Sequence, residues 1–281
     1  MAGASQDPVP VHRIASPANP RLKDVSRLRD RHHRDESGLM IIEGCREIRL
    51  AIAGGHAPRE LFYCAERFQS EGSADLVEAC RAAGARLIAC EPAAFAKLAY
   101  RENPEGLLAV APLVRRGLAD LSVPDRALVV VVEAIEKPGN LGTILRTADA
   151  AGVHGVVVCD RCTDLGNPNV VRASLGTLFT VPVVEASSDE AIGWLRARGI
   201  RILAATPHAT TLYTDADMTA GTAIALGAEQ HGLSETWMRA ADERVRIPML
   251  GRADSLNVSA SATILLYEAV RQRGAGGRAQ V

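Results

Sequence analysis

The chain has 281 residues, 47% of them hydrophobic and only 4% aromatic, with a formal net charge of −1. That length supports one large or two modest domains with a substantial core. The balanced charge excludes a globally basic nucleic-acid binder, so any surface for RNA has to be local.

Residues 1–12 lack usable periodicity and read as a flexible N-terminus. A basic run follows, holding Arg13, Arg21, Lys23, Arg27, Arg29, Arg31 and Arg34 with His32 and His33, against Asp24 and Asp30. It reads either as a solvated face of a helix over Leu22 to His33 or as a phosphate-contacting patch. Strands are expected at Gly38 to Gly44, Leu61 to Cys64, Ala85 to Ala89 and Leu107 to Ala111, with helices running to Ala53 and over Ala74 to Ala83. This alternation predicts a small α/β domain over 13–112, followed by a linker over 113–125.

The second half, 126–273, repeats the alternation. Ala127 to Val132 reads as a buried strand, and the turn Glu136-Lys-Pro-Gly-Asn140-Leu-Gly142 opens a helix that carries Arg146. A strand at Gly155 to Cys159 follows, then a helix at Asp189 to Arg198, where Ser187 and Glu190 have capping-box spacing. Strands at Ile200 to Ala205 and Thr222 to Leu226 come next, the latter leading into Gly227-Ala-Glu229-Gln-His-Gly232. A short apolar strand is expected to end at Pro248, ahead of a polar loop with Asp254, Ser255 and Asn257. The last helix, Val258 to Gln272, repeats apolar residues at helical spacing. Residues 274–281 read as a flexible tail. Periodicity therefore predicts an open parallel sheet with three strand-to-helix turns, where such sheets place ligands.

Taken singly, Ser255, Asn257 and Asn140 read as helix caps, and Glu229 as a solvated turn carboxylate. Cys159-x-x-Cys162 has metal or redox spacing, but no second Cys/His pair lies near it, so reduced thiols and no metal site are expected. No signal peptide or membrane-length apolar run is legible, which predicts a soluble cytoplasmic protein. The turn after the Ala127 strand lacks Gly-x-Gly-x-x-Gly, which argues against a Rossmann dinucleotide site.

In combination the three turns resemble the SpoU/TrmH family of RNA ribose methyltransferases, within the SPOUT superfamily. Asn140, Gly142 and Arg146 match its first motif, Gly227, Glu229 and Gly232 its second, and Ser255-Leu256-Asn257-Val258-Ser259 its third. The segment from Val171 to Val183, including Arg172, is also similar. The resemblance implies a deep trefoil knot in the parallel-sheet domain, a preceding domain similar to ribosomal protein L30e, and a homodimer. It implies S-adenosylmethionine as cofactor, held by Leu226, Gly227, Gly232, Ile247, Met249 and Leu256. Asn140, Arg146, Glu229, Ser255 and Asn257 become the implied catalytic set, and Arg13, Arg21, Lys23, Arg27, Arg146 and Arg172 the candidate RNA contacts. The expected reaction is methylation of a ribose 2′-hydroxyl, in rRNA ahead of tRNA. A non-catalytic RNA-binding or assembly factor on the same fold is the alternative, and a pure binder has no need of all five catalytic residues.

Overall fold

A computed structural model describes residues 12–274. The flexible ends expected at 1–12 and 274–281 lie outside it, apart from His12 and Gly274, which belong to a strand and a helix. The chain forms two compact units, divided between Leu113 and Val114.

In the first unit, β1 (His12–Ile14), α1 (Pro20–Arg27), α2 (Arg31–Ser37), β2 (Leu39–Glu43), α3 (Cys45–Ala53) and β3 (Glu60–Tyr63) are followed by α4 (Ser73–Ala82), β4 (Arg86–Cys90), α5 (Pro92–Leu98) and β5 (Leu107–Pro112). The sheet order is β1-β4-β3-β5-β2. β1, β4 and β3 run parallel, while β5 is antiparallel to both β3 and β2. Leu22, Val25, Phe62, Ile88, Phe95 and Leu108 fill one of its cores.

The single helix expected over Leu22 to His33 is two helices. Leu28 closes α1, and the Asp30 side chain accepts the His32 N–H at 2.8 Å to start α2. The buried Arg34 then donates Nη1 to the carbonyls of Leu28 and Arg29, at 2.9 and 2.7 Å, satisfying groups that the break exposes.

The second unit contains β6 (Leu128–Glu133), α6 (Pro138–Ala150), β7 (Gly155–Cys159), α7 (Pro168–Ala173), β8 (Val183–Ala186) and α8 (Ser188–Ala197). It continues with β9 (Arg201–Ala205), β10 (Thr211–Leu212), β11 (Thr222–Leu226), α9 (Glu235–Ala240), β12 (Glu243–Arg246) and α10 (Val258–Gly274). Seven strands in the order β10-β12-β9-β11-β6-β7-β8 form one sheet in which each pair is parallel. The central β6 and β11 are buried along their whole length, as strands covered on both faces must be. Val129, Val131 and Val157 pack with Trp194, Leu195 and Trp237. α10 packs on α6 and on β11.

The expected 113–125 linker is a correction. Residues from Val114 onward belong to the second unit, where Leu121 is buried in the core and Asp120 accepts the Gly117 N–H at 2.8 Å. The apolar strand expected to end at Pro248 is the short Glu243-Arg-Val-Arg246, in which only Val245 is buried. It pairs on one side with β9 and on the other with the two-residue β10.

Candidate active site

The loops after β9, β11 and β12 converge at the carboxyl edge of the parallel sheet. They enclose a cavity of about 410 Å³ together with the start of α10. Its walls include Leu226, Gly227, Gly232, Ile247, Met249 and Leu256, so the six residues implicated in cofactor binding are brought together. Ser255 and Glu229 line it as well. The Gly-x-Glu-x-x-Gly turn has a steric basis. A Cβ on Gly227 would lie 2.0 Å from the Gly232 carbonyl carbon and 2.2 Å from the Leu233 nitrogen, and Gly232 adopts φ +68°.

A polar chain at the rim joins the three motifs. Asn140 Nδ2 donates to Glu229 Oε1, and Asn257 Nδ2 donates to Asn140 Oδ1 at 3.2 Å. Asn257 Oδ1 in turn accepts the Ser259 N–H at 3.0 Å and its hydroxyl at 2.6 Å. Asn257 therefore caps α10 while holding Asn140. Asn140 itself is not a cap: α6 begins at Pro138 after Lys137, which leaves Asn140 in the first turn with its side chain committed to this chain. The other Glu229 oxygen, Oε2, is buried without a hydrogen-bond partner.

Arg146 is exposed in the third turn of α6. Next to it, Thr147 Oγ1 lies 3.3 Å from Thr263 Oγ1, which holds α6 against α10. Gly142 has a packing role: a Cβ there would lie 2.5 Å from Ala173 Cβ and 2.8 Å from the Val170 carbonyl. Ser255 is exposed and makes no side-chain hydrogen bond among the described residues, so it does not act as a cap.

Of the other candidate RNA contacts, Arg172 is exposed on α7 and Lys23 is exposed on α1. The remaining three already face carboxylates: Arg13 pairs with Glu91, Arg21 with Glu60, and Arg27 with Asp24 at 3.6 Å. These pairs compete with phosphate for the same guanidinium groups.

Cys159 is buried, and its thiol is pushed up to about 12 by desolvation first, then by Asp160, Glu133 and Glu190. It stays protonated, while Cys162 is exposed. Among the described residues no cluster of three or more His, Cys, Asp or Glu could hold a metal, and no helix is long and apolar enough to cross a membrane.

Sequence reasoning missed the third wall of the cavity, Ala205, Thr206, Pro207 and His208 after β9, and the inward face of α10 at Ser261 and Leu265. The strand end at Ala205 was the available signal, because open parallel sheets bind ligands beyond the carboxyl ends of their strands. His231 lines the cavity too.

A parallel sheet with three loops gathered around a half-open cavity of mixed apolar and polar lining, and a hydrogen-bonded polar chain beside it, defines an α/β enzyme acting with a small-molecule ligand. Residues 127–267 match the SpoU rRNA methylase family, and the chain belongs to it. Residues 19–109 match the MRM3-like substrate binding domain. The chain is 34% identical over 284 residues to the 23S rRNA (uridine(2479)-2'-O)-methyltransferase of Streptomyces viridochromogenes, covering 98% of each. Identity to the 23S rRNA (guanosine(2553)-2'-O)-methyltransferase RlmP of Bacillus subtilis (strain 168) is 27% over 254 residues, covering 90% of this chain and 97% of that one. Among solved structures, the AdoMet-bound rRNA methyltransferase of Sinorhizobium meliloti superposes with a TM-score of 0.85 at 30% identity, covering 93% of this chain and 98% of that one.

Proposed function

We propose that this enzyme transfers a methyl group from S-adenosylmethionine to a ribose 2′-hydroxyl in ribosomal RNA. The observation that carries the reading is that the second and third motifs line one cavity, beside which Asn140 of the first motif is hydrogen-bonded to Glu229 and Asn257. The cavity suits the cofactor chemically. Leu226, Leu233, Ile247, Met249 and Leu265 provide apolar walls for an adenine ring, while Thr206, Ser255, Ser261 and the loop backbone provide polar groups for ribose and amino acid. Its size falls within the range of small-molecule sites, roughly 300–1,000 Å³.

When bound, S-adenosylmethionine supplies an electrophilic methyl group with its own leaving group, so no metal is needed. The residues must then bind the ribose, align its hydroxyl in line with the methyl carbon and take up its proton. Arg146 holds the RNA phosphate and stabilises charge developing on the hydroxyl oxygen, because a guanidinium is too reluctant to lose its proton to serve as the base. Glu229, with one buried oxygen lacking a partner, is the acceptor assigned to that proton. Asn140 and Asn257 fix the carboxylate and the loop, and Ser255 lies at the cavity wall facing the substrate.

The first unit serves as an L30e-like RNA-binding domain, a role supported by its match to a substrate-binding domain. Lys23 and Arg172, exposed and in no salt bridge among the described residues, are the foremost phosphate contacts. A trefoil knot accounts for the path of the chain. β12 lies outside β9, yet the following α10 packs on α6 and β11, so the chain recrosses the carboxyl edge beside the 227–233 loop. Homodimer formation is implied by the resemblance, and Leu250 and Tyr267, 97% and 48% accessible, are apolar side chains such an interface would cover. Cytoplasmic localisation is the expectation for an enzyme acting on rRNA.

The test is transfer of tritium from labelled S-adenosylmethionine to undermodified rRNA or to bulk tRNA, with wild type, Arg146→Ala and Glu229→Gln. The expected result is label in rRNA at an alkali-resistant linkage, reduced at least about 100-fold by either substitution while cofactor binding persists. Label confined to tRNA would overturn the substrate. Absence of cofactor binding in the wild type would overturn the enzymatic reading in favour of an RNA-binding factor.

A further inference from the structure

Beneath the rim lies a second, buried link between the loops that follow β6 and β11. Glu133, the last residue of β6, is only 5% exposed. Its Oε2 accepts the Ser234 N–H at 2.7 Å, and its Oε1 lies 3.4 Å from the Ser188 hydroxyl at the start of α8. Ser188 Oγ also donates to Asp160 and accepts from Trp237 Nε1 at 2.7 Å. Its single proton can serve only one carboxylate at a time, and the firmer contact is to Asp160, which leaves the Ser234 N–H as the principal partner of Glu133. The backbone is bent to build this arrangement. Ala134 and Asp160, one residue beyond the paired ends of β6 and β7, have φ +53° and +48°, and the Ala134 N–H bonds the Cys159 carbonyl at 3.0 Å. Left-handed backbone at non-glycine residues persists only where surrounding contacts hold it.

We propose that Glu133 is a positioning residue for the cofactor cavity, acting through Ser234 on the loop that forms the cavity wall. This inference rests on the reading of that cavity as the S-adenosylmethionine site. The mechanical connection is short. Ser234 follows Leu233, which lines the cavity, and the Leu233 nitrogen and Gly232 carbonyl lie against Gly227 with no room for a side chain. Ala228 and Gly232 close the loop by a backbone bridge. Fixing Ser234 thus fixes the separation between Gly227 and Leu233, and with it the cavity wall. Asn140–Glu229 joins the same two loops at the rim, so Glu133–Ser234 completes a two-point attachment at the base.

The chemistry of the contact calls for an acceptor oxygen and not for a charge. In Glu133→Gln the amide oxygen can take the Ser234 N–H, while the amide NH2 meets Ser188 Oγ, whose proton goes to Asp160. Glu133→Ala removes the acceptor. Ser234→Pro removes the donor at a residue whose φ is already −64°, leaving the carboxylate in place.

The test is calorimetric binding of S-adenosylmethionine to the full chain, with steady-state kinetics and amide hydrogen exchange of residues 228–234 in the absence of ligand. Glu133→Ala and Ser234→Pro are each expected to weaken cofactor binding about tenfold or more. They should raise KM for the cofactor and leave KM for RNA within about twofold, a split that loss of folded protein would not produce. Exchange across the loop should quicken in Glu133→Ala, and Glu133→Gln should match wild type in every measurement. Wild-type affinity in Glu133→Ala or Ser234→Pro, or impairment of Glu133→Gln equal to that of Glu133→Ala, would overturn the inference. Should the wild type itself fail to bind the cofactor, the methyltransferase reading falls. The ligand-free exchange then still decides whether Glu133 holds the loop: faster exchange in the alanine variant but not the glutamine variant supports that, and equal exchange in the two overturns it.

Discussion

Glu43 shows how a buried charge in the first unit can be read by pH. Its Oε2 accepts the N–H groups of Tyr100 and Arg101 at 2.8 and 3.1 Å, while Oε1 is buried with no partner. Burial raises its pKa above the ordinary glutamate range, and the two N–H bonds, with Arg101 and Arg29 nearby, oppose the rise without cancelling it. The folded state therefore favours the protonated acid. That contribution to stability is complete below the unfolded pKa and is lost as pH climbs through the raised folded value. Denaturant unfolding of wild type and Glu43→Gln from pH 4 to 8 checks this. The wild type is expected to lose stability relative to the glutamine variant as pH rises, and parallel curves would refute the assignment. At the same scale, the residues of the candidate site were legible as residue types at fixed spacing. Their connections were not, because Asn140, Glu229 and Asn257 are far apart in sequence and only the fold brings them into one chain.

Elements differ in how openly the sequence declares them. The strands at the sheet centre, Leu-Val-Val-Val-Val-Glu in β6 and Gly-Val-Val-Val-Cys in β7, are apolar because helices cover both faces, and their positions follow from composition alone. β12 is legible only poorly: a strand near the sheet edge leaves Glu243, Arg244 and Arg246 incompletely buried, and its apolar signal reduces to Val245. The turn between α1 and α2 is hidden for a different reason, since the Arg34 side chain that satisfies its carbonyls looks on paper like another surface charge. α10 carries a comparable hidden device at its end. Arg273 donates to the carbonyls of Met218, Arg126, Ala127 and Ala220 at 2.6–3.1 Å, and Gln272 bonds Ala216 and Met218. These bonds latch the last turn of α10 onto the segments before β6 and β11, and partial burial lowers the Arg273 pKa. Arg273→Ala is expected to destabilise the second unit by about 2 kcal/mol, the scale of hydrogen bonds from a charged donor. Thermal unfolding reads this directly, and an unchanged midpoint would mean that water replaces the latch at no cost.

At the scale of the whole molecule, each unit has its own sheet and its own buried core, which is the condition for folding alone. The cavity, its rim and Arg146 all belong to the second unit. The family match likewise begins only at residue 127. The cavity is therefore separable along the chain from the unit that matches a substrate-binding domain, provided that the cut respects the Leu113–Val114 boundary and not the linker expected at 113–125. Cutting at 126 would remove Leu121, whose side chain lies within 2.9 Å of the point where a Cβ on Gly155 would sit, and would open the core beside β7. A fragment of residues 114–281 is accordingly expected to fold and to bind S-adenosylmethionine within about threefold of the full chain, whereas a fragment starting at 126 loses about 2–5 kcal/mol of stability through the lost leucine. Transfer to rRNA by the longer fragment should fall at least about tenfold, because it lacks the unit that matches a substrate-binding domain. Equal transfer by fragment and full chain would assign RNA recognition to the second unit, leaving Arg172 and Arg146 as the cations that carry it.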